Sequence, residues 1–275
     1  MHPVIKHIKN RKNKSVPVND GRKIALVLFG GLMTGVRGAG SVIALEELGL
    51  RSAFEEVYAI SAGFANASYF LSGQTKMGTS IYYDELSGNK FIYFPRLWNI
   101  CNVPYLMNVM RKVKPLNVKN IIKNPTKIFT RLKNLKTKKA EYVEGNKLNV
   151  NAYFKILNVS ISMPYLNPGS TKIKGVNYKD PDLTDIQLIE HVQQVLQSDN
   201  TDILIIYNYQ QQKKIINKVI KLPKNRVYEI SPNESWYMNR ICTDSKILKN
   251  ETIKMGNRVK RILGGKSPIK LYKEV

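Results

Sequence analysis

One serine stands where a strand pattern gives way directly to a helix pattern. The short apolar run at residues 57–60 ends at Ser61, and a small-residue helical pattern begins behind it. This is typical of a nucleophile elbow, a tight turn that lifts a serine hydroxyl above the end of a sheet. Ala59 and Gly63 are small, as the close approach of strand and helix requires. An ordinary helix N-cap fits the same residues, so the serine alone leaves both interpretations open.

The segment before this serine has the pattern of a βαβ unit. Residues 23–29 (KIALVLF) form an apolar run behind Lys23, as in a strand buried on both faces of a parallel sheet. Five glycines follow within residues 30–40, which predicts a sharply turning loop with accessible N–H groups. Residues 41–50 then show a helical stripe. The order strand, loop, helix, strand and elbow predicts a parallel sheet with a right-handed crossover.

The glycine segment matches neither common nucleotide-binding motif. Its glycines are out of phase with G-x-G-x-x-G, and no acidic residue ends the next strand to hold a ribose. The Gly-Lys-Ser/Thr ending of a phosphate-binding loop is also missing. Nucleotide binding is therefore disfavoured.

The composition indicates a folded and strongly basic protein. The 275 residues, 43% of them hydrophobic, suffice for one sizeable core, and we expect a single domain over residues 23–275 behind a mobile basic arm at residues 1–22. A net charge of +24 favours an anionic partner, either an acidic membrane surface or a nucleic acid. Cys101 and Cys242 have no C-x-x-C spacing, which predicts neither a zinc site nor a disulfide framework.

No stretch predicts export or a membrane span. The basic N-terminus is not followed by an apolar core, and the apolar run at residues 24–36 is too short and too rich in glycine. We therefore expect a cytoplasmic protein, with peripheral binding at the inner face of a membrane as a further expectation.

Residues 86–140 combine aromatic side chains with cations and contain no Asp or Glu. Such a segment can lie on a membrane, with rings at the acyl boundary and ammonium groups at lipid phosphates. Alternatively, the aromatic residues belong to the core and the lysines form a solvated face. The sequence does not choose between the two.

Later patterns complete an α/β chain. A hairpin is predicted at residues 127–135 and 140–143, followed by short extended segments at 171–173 and 176–178 that lead to an acidic turn at Asp180. Strands are also predicted at 202–207 and 226–230, and helices at 149–160, 186–196, 210–222 and 246–262.

The glycine loop, the serine elbow and the distant acidic turn, in this order, resemble the patatin-like phospholipases, in particular their bacterial branch. The family motifs GGGxRG, G-x-S-x-G and D-G-G or D-G-A correspond to residues 30–35, 59–63 and 180–181. Residues 67–74 and 160–164 resemble further family segments, and the likeness runs from about residue 23 to residue 265.

This resemblance implies a three-layer patatin-like α/β fold, with a mostly parallel central sheet and helices on both faces. It also implies a lipid acyl hydrolase acting on a phospholipid or another lipid ester, without metal or cofactor. Ser61 would be the nucleophile and Asp180 the general base, with no histidine. Backbone N–H groups of Gly30, Gly31 and Leu32 would form the oxyanion hole, and water would cleave the acyl-serine intermediate.

Four signature positions depart from the family pattern. Leu32 replaces the third loop glycine, at a strain of roughly 1–3 kcal/mol if φ is positive. Thr34 replaces the family arginine, and Arg37 is a candidate substitute for that arginine. Ala59 replaces the first glycine of the elbow motif. Pro181 replaces the glycine after the aspartate and removes a backbone N–H. These departures motivate a second hypothesis, a catalytically impaired member that binds anionic lipid.

Other assignments remain open at the level of sequence. Asp182 or Asp185 would be the base if the register shifted, and His191 would complete a Ser-His-Asp triad. A nucleic-acid-binding protein is a third, less favoured hypothesis, because no recognition motif accompanies the charge. The oligomeric state is not indicated.

Overall fold

The computed structural model describes residues 1–162, 170–173, 175–180, 185–197 and 200–272. The strands are β1 (Lys23–Leu28), β2 (Glu56–Ala59), β3 (Lys127–Asn134), β4 (Ala140–Glu144), β5 (Ser170–Ile173), β6 (Val176–Lys179), β7 (Thr201–Ile206) and β8 (Val227–Ile230). The helices are α1 (Pro3–Asn10), α2 (Gly35–Glu47), α3 (Ala62–Leu71), α4 (Thr75–Ser80), α5 (Val103–Asn108), α6 (Val118–Lys123), α7 (Val150–Ser160), α8 (Asp185–Leu196), α9 (Gln210–Val219) and α10 (Ser245–Ile262).

All these strands belong to one mixed sheet, linked by hydrogen-bonded pairs in the sequence β5-β6-β3-β2-β1-β7-β8, with β4 also paired to β3. The central strands β3, β2, β1, β7 and β8 are parallel, so their carboxyl ends meet at one edge. The predicted hairpin is present as the antiparallel pair β3–β4, and β5 and β6 are antiparallel as well. Sites in such sheets form at the carboxyl edge, which is where β1 and β2 end in the glycine loop and the serine.

Helices cover both faces of this sheet, because successive side chains of β1 point alternately into two separate helix-covered cores. Leu26 and Leu28 point into the larger core beneath α2, α3, α7 and α10, whereas Val27 points to the opposite core, which receives apolar residues of α8 and α9. A strand buried on both sides has to be apolar, as residues 24–29 are after the exposed Lys23 at the strand start. The predicted α/β fold class, with three layers and a mostly parallel sheet, is confirmed.

The glycine segment is more helical than its composition suggests. The loop ends at Thr34, and α2 begins at Gly35, six residues before the predicted start. Glycine is needed inside this helix for close packing, because a Cβ at Gly40 would collide with the backbone carbonyl of Thr252 in α10. Only the first part of the segment therefore forms the expected loop.

The N-terminal residues pack on the sheet instead of forming a mobile arm. Val4, Ile5 and Ile8 of α1 are buried in the larger core. The buried Arg11 guanidinium hydrogen-bonds the carboxylates of Asp20 and Glu55, and it holds the pKa of Asp20 well below its usual range. The apolar residues of α1 form one helical stripe among the basic residues, and this stripe is easily missed when only the charges are counted.

Within the described ranges, no helix combines the length and the apolar character needed to cross a bilayer.

Candidate active site

Ser61 lies at the turn between β2 and α3 in a backbone conformation that is rare for any residue except glycine. Its φ is 52° and its ψ is −132°, and its side chain makes no capping hydrogen bond. An ordinary N-cap serine has β-region angles and caps the helix. Gly63 shows why the turn is so tight, because a Cβ there would lie 2.7 Å from the Leu28 carbonyl oxygen. The geometry favours the elbow over the N-cap.

The glycine loop lies against the Ser61 side chain. A Cβ added to Gly30 would lie 2.5 Å from Ser61 Cβ and 2.9 Å from Ser61 Oγ, so only glycine fits beside the hydroxyl. Leu32 has the positive φ expected of the glycine it replaces, 54°. Thr34, at the family's arginine position, donates from its N–H and its Oγ to the Gly31 carbonyl, at 3.1 and 2.6 Å.

Backbone N–H groups are available beside the Ser61 hydroxyl. Among the described residues, none accepts a hydrogen bond from the N–H of Gly31, Leu32 or Ala62. A ψ of 23° at Gly31 sets its nitrogen and that of Leu32 on the same side of the chain. Ala62 is absent from the residues predicted from sequence, although its position directly after the serine is the usual source of one oxyanion donor.

Asp180 follows β6, and the hydrogen bonds of β3 show where β6 lies. The N–H groups of Lys127 and Leu135, an even number of residues apart, donate to carbonyls of Glu55 before β2 and Asn177 in β6. Amides with this spacing point to the same edge of a strand. β2 and β6 therefore occupy one edge of β3 end to end, with β4 on the other edge.

This arrangement brings Asp180 and Ser61 into the same gap in the sheet. Ala59, the last residue of β2, pairs with Thr130 of β3, and Lys179, the last residue of β6, pairs with Lys133. The ends of β2 and β6 therefore face each other across three residue steps of β3, about 10 Å at roughly 3.3 Å per residue. Ser61 and Asp180 are the second and first residues beyond those ends. Their separation of more than a hundred residues in sequence is thus closed by antiparallel pairing of β6.

The two side chains do not share a hydrogen bond in this structure. Ser61 is 9% exposed, and its hydroxyl has no hydrogen-bond partner among the described residues. Asp180 is 4% exposed. Of the alternative bases, Asp182 lies outside the described residues, together with Pro181, and Asp185 begins α8.

His191 and Arg37 lie in buried contacts of their own. The fully buried His191 ring contacts Phe29 and hydrogen-bonds the Tyr142 hydroxyl, and burial lowers the pKa of its imidazole to about 3. Neither contact involves Ser61, so a triad gains no support. Arg37 Nε donates a hydrogen bond of 2.7 Å to Glu251 of α10, and Nη2 lies 2.6 Å from the same carboxylate oxygen in an ion pair. Arg37 therefore does not substitute for the family arginine.

An apolar pocket opens beside Ser61. The pocket is narrow: its cavity volume is about 50 Å³, within about 560 Å³ of empty space that includes the open mouth. The polar groups in its wall are few, namely Ser61, Asn66, Tyr69 and Tyr82, and the apolar wall comes from several separate elements: Leu32, Met33, Ala62, Ala65, Ile81, Leu86, Phe91, Leu106, Met110 and Ile161. A hydrocarbon chain fits this chemistry, because apolar walls desolvate it without leaving polar groups unpaired.

For the segment at residues 86–140 we expect either binding to a membrane surface or packing of its aromatic residues in the core, and its described aromatic residues are divided between buried and exposed positions. Phe91 and Leu106 are buried and line the pocket. Tyr93 and Phe94, two and three residues after Phe91, are 39% and 56% exposed, and Lys90, directly before Phe91, is exposed. Core packing therefore accounts for part of this segment, and an exposed aromatic and basic surface remains next to pocket-lining residues in sequence.

Among the described residues, no three His, Cys, Asp or Glu side chains are grouped so that they could hold a metal ion.

Solved structures that resemble this chain include VipD, ExoU and an ExoU complex. VipD from Legionella pneumophila is 13% identical, with a TM-score of 0.49 over 90% of this chain and 69% of that one. The type III effector ExoU is 13% identical, with a TM-score of 0.38 over 90% of this chain and 57% of that one. ExoU in the ExoU–SpcU complex from the type III secretion system of Pseudomonas aeruginosa is 13% identical, with a TM-score of 0.37 over 90% of this chain and 52% of that one. No protein-family model and no curated protein matches the sequence. Such distant similarity assigns no activity.

Proposed function

We propose that this protein is a serine hydrolase of lipid esters, with Ser61 as nucleophile and Asp180 as general base. The observation that carries the proposal is the strained backbone of Ser61, φ 52° and ψ −132°, at a strand-to-helix turn beside an apolar pocket. Strain of this kind persists where the surrounding structure enforces it and clusters at catalytic sites.

In the proposed reaction, Asp180 takes the Ser61 hydroxyl proton as Oγ attacks the ester carbonyl carbon. The unpaired N–H groups of Gly31, Leu32 and Ala62 stabilise the oxyanion, where one donor typically contributes roughly 2.7–4 kcal/mol. Asp180 returns the proton to the departing alcohol, and water then cleaves the acyl-serine by the same route. The missing Ser61–Asp180 hydrogen bond is compatible with this scheme, because catalytic hydrogen bonds are often long before substrate binds.

The substrate class follows from the pocket and the charge. The apolar wall beside Ser61 suits an acyl chain. The net charge of +24 and the exposed Tyr93, Phe94 and Lys90, near pocket-lining Phe91 in sequence, support action on phospholipid at an anionic surface.

A catalytically impaired lipid-binding protein is the second candidate. The observation that favours it is Leu32, a branched residue at φ 54° where the family carries glycine, together with the unpartnered Ser61 hydroxyl. In this alternative the pocket would still take a lipid chain, but Ser61 would not be acylated.

A fluorophosphonate probe separates the two candidates, because it labels only an activated serine. We expect the probe to add to the tryptic peptide that contains Ser61, and p-nitrophenyl butyrate to be hydrolysed by wild type but not by Ser61→Ala or Asp180→Asn. Ser72→Ala is the matched control, a buried serine at the end of the same helix α3, and it should keep wild-type rates. Equal rates in wild type and Ser61→Ala would exclude hydrolysis at Ser61.

Acyl-chain length tests the role of the pocket separately. Leucine at Ala65, a pocket-lining residue of α3, should obstruct a long chain while leaving the entrance to Ser61 open. We expect Ala65→Leu to lower the rate with p-nitrophenyl palmitate at least tenfold relative to the rate with the acetate. An unchanged ratio would mean that the acyl chain binds elsewhere.

A further inference from the structure

Two buried amide side chains hold the glycine loop through its carbonyl groups. Asn208 follows β7, and Gln212 lies in the first turn of α9; both are almost completely buried. Asn208 Nδ2 donates to the carbonyl oxygens of Phe29 and Gly30, at 2.6 and 2.9 Å. Gln212 Nε2 donates to the same Gly30 carbonyl at 2.8 Å. Three hydrogen bonds therefore fix two consecutive carbonyls.

The direction of the Gly30 carbonyl determines the direction of the next N–H. In a planar trans peptide, the C=O and the N–H point to opposite sides. The two amides draw the Gly30 oxygen towards the end of β7 and α9, so the Gly31 N–H must point the other way. The described residues provide no acceptor for that N–H, and the neighbouring Gly30 Cα abuts Ser61.

The amides themselves are held rigidly. Asn208 Oδ1 accepts from the Gly38 N–H at 2.8 Å, and the Asn208 N–H donates to Gln212 Oε1 at 2.9 Å. The Asn208 carbonyl accepts from Arg37 Nη1 at 3.0 Å. With every polar group of Asn208 paired, neither amide can rotate without breaking several buried hydrogen bonds.

We propose that Asn208 and Gln212 are positioning residues that orient the Gly30–Gly31 peptide, so that the Gly31 N–H donates to the oxyanion formed at Ser61. This inference rests on the proposed function and deepens it. Neither side chain touches the substrate; both act through the peptide they hold. Losing them leaves Ser61 and the pocket in place but frees the donor to rotate.

The test compares Gln212→Met and Asn208→Ala with Ile216→Ala. Ile216 lies one turn further along α9 and is fully buried in the opposite core, so its truncation loosens the same helix without touching the loop. Rates per fluorophosphonate-labelled site are measured with a p-nitrophenyl ester and with its thionoester, whose sulfur accepts hydrogen bonds weakly. Melting temperatures are measured in parallel.

We expect Gln212→Met and Asn208→Ala to lower kcat by about tenfold to a hundredfold, with KM changed less than about threefold. Their preference for ester over thionoester should fall by a similar factor, because that preference reports the oxyanion donors. Ile216→Ala should lower the melting temperature and leave kcat and the preference unchanged. If the two amide variants only lose stability, as Ile216→Ala does, the positioning role is wrong. An inactive wild type would overturn the proposed function as well, whereas an active wild type with unaffected variants overturns this inference alone.

Discussion

Replacing Ser61 by glycine should remove the proposed nucleophile and at the same time stabilise the fold. At φ 52° and ψ −132°, a side chain at position 61 is held in a region that glycine occupies freely. The strain is of the order of 1–3 kcal/mol, and the greater freedom of glycine in the unfolded chain offsets roughly 0.4–1 kcal/mol of the gain. The side chain makes no capping hydrogen bond that the substitution would lose. A net stabilisation of about 1 kcal/mol is expected.

The measurement is urea unfolding of wild type, Ser61→Gly, Ser61→Ala and Ala67→Gly. Ser61→Ala keeps the Cβ and the strain, so its stability should lie within about 0.5 kcal/mol of wild type. Ala67→Gly, in the regular part of α3, should lose at least about 1 kcal/mol. At an ordinary N-cap, glycine for serine would instead be destabilising by a few tenths of a kcal/mol, with alanine worse than glycine. That order of stabilities would refute the strained elbow.

Three further experiments test the packing and the buried titratable groups. Gly63→Ala should destabilise the fold by about 1–3 kcal/mol in urea unfolding, because the new Cβ would lie 2.7 Å from the rigid Leu28 carbonyl oxygen; an unchanged midpoint would contradict this contact. Arg37→Met should lose about 3 kcal/mol by leaving the Glu251 carboxylate buried with only a lysine contact, and adding Glu251→Leu should recover most of the loss in the same assay. The pKa of His191 is lowered to about 3 by burial, so below pH 6.5 the unfolded chain binds a proton that the folded chain does not, and stability should fall by about 1.4 kcal/mol per pH unit. The difference in stability between wild type and His191→Phe, measured at pH 6, 5 and 4, should follow this slope; a constant difference would show that His191 titrates normally.

The glycines of this chain differ in whether nearby or distant residues require them. Gly30 and Gly63 are required by atoms within the same βαβ unit, so a reader of the sequence recognises them from a local motif. Gly40 is required by the backbone of Thr252, more than two hundred residues away. The glycine-rich segment around Gly40 predicts a loop, but the packing of α2 against α10 makes Gly40 part of a helix.

Local chemistry explains which features the sequence determined by itself. Burial on both faces demands an unbroken apolar strand, so residues 23–29 predict β1. The β3–β4 hairpin and the helices from α7 to α10 follow from hydrophobic periodicity, and their observed bounds lie within a few residues of the predicted ones. The turn at Ser61 also follows from short-range sterics, since small neighbours allow the strand and the helix to meet.

Only the tertiary structure decided which distant segments share the site. The pairing of β6 beside β2 on one edge of β3 brings Asp180 towards Ser61. The pocket gathers its wall from separate helices, and Asn208 and Gln212 reach the glycine loop from the far side of β1. Hydrophobic periodicity states which face of an element is buried, but not against which partner. That choice depends on the summed packing and hydrogen bonding of the whole sheet, which no local stretch of sequence contains.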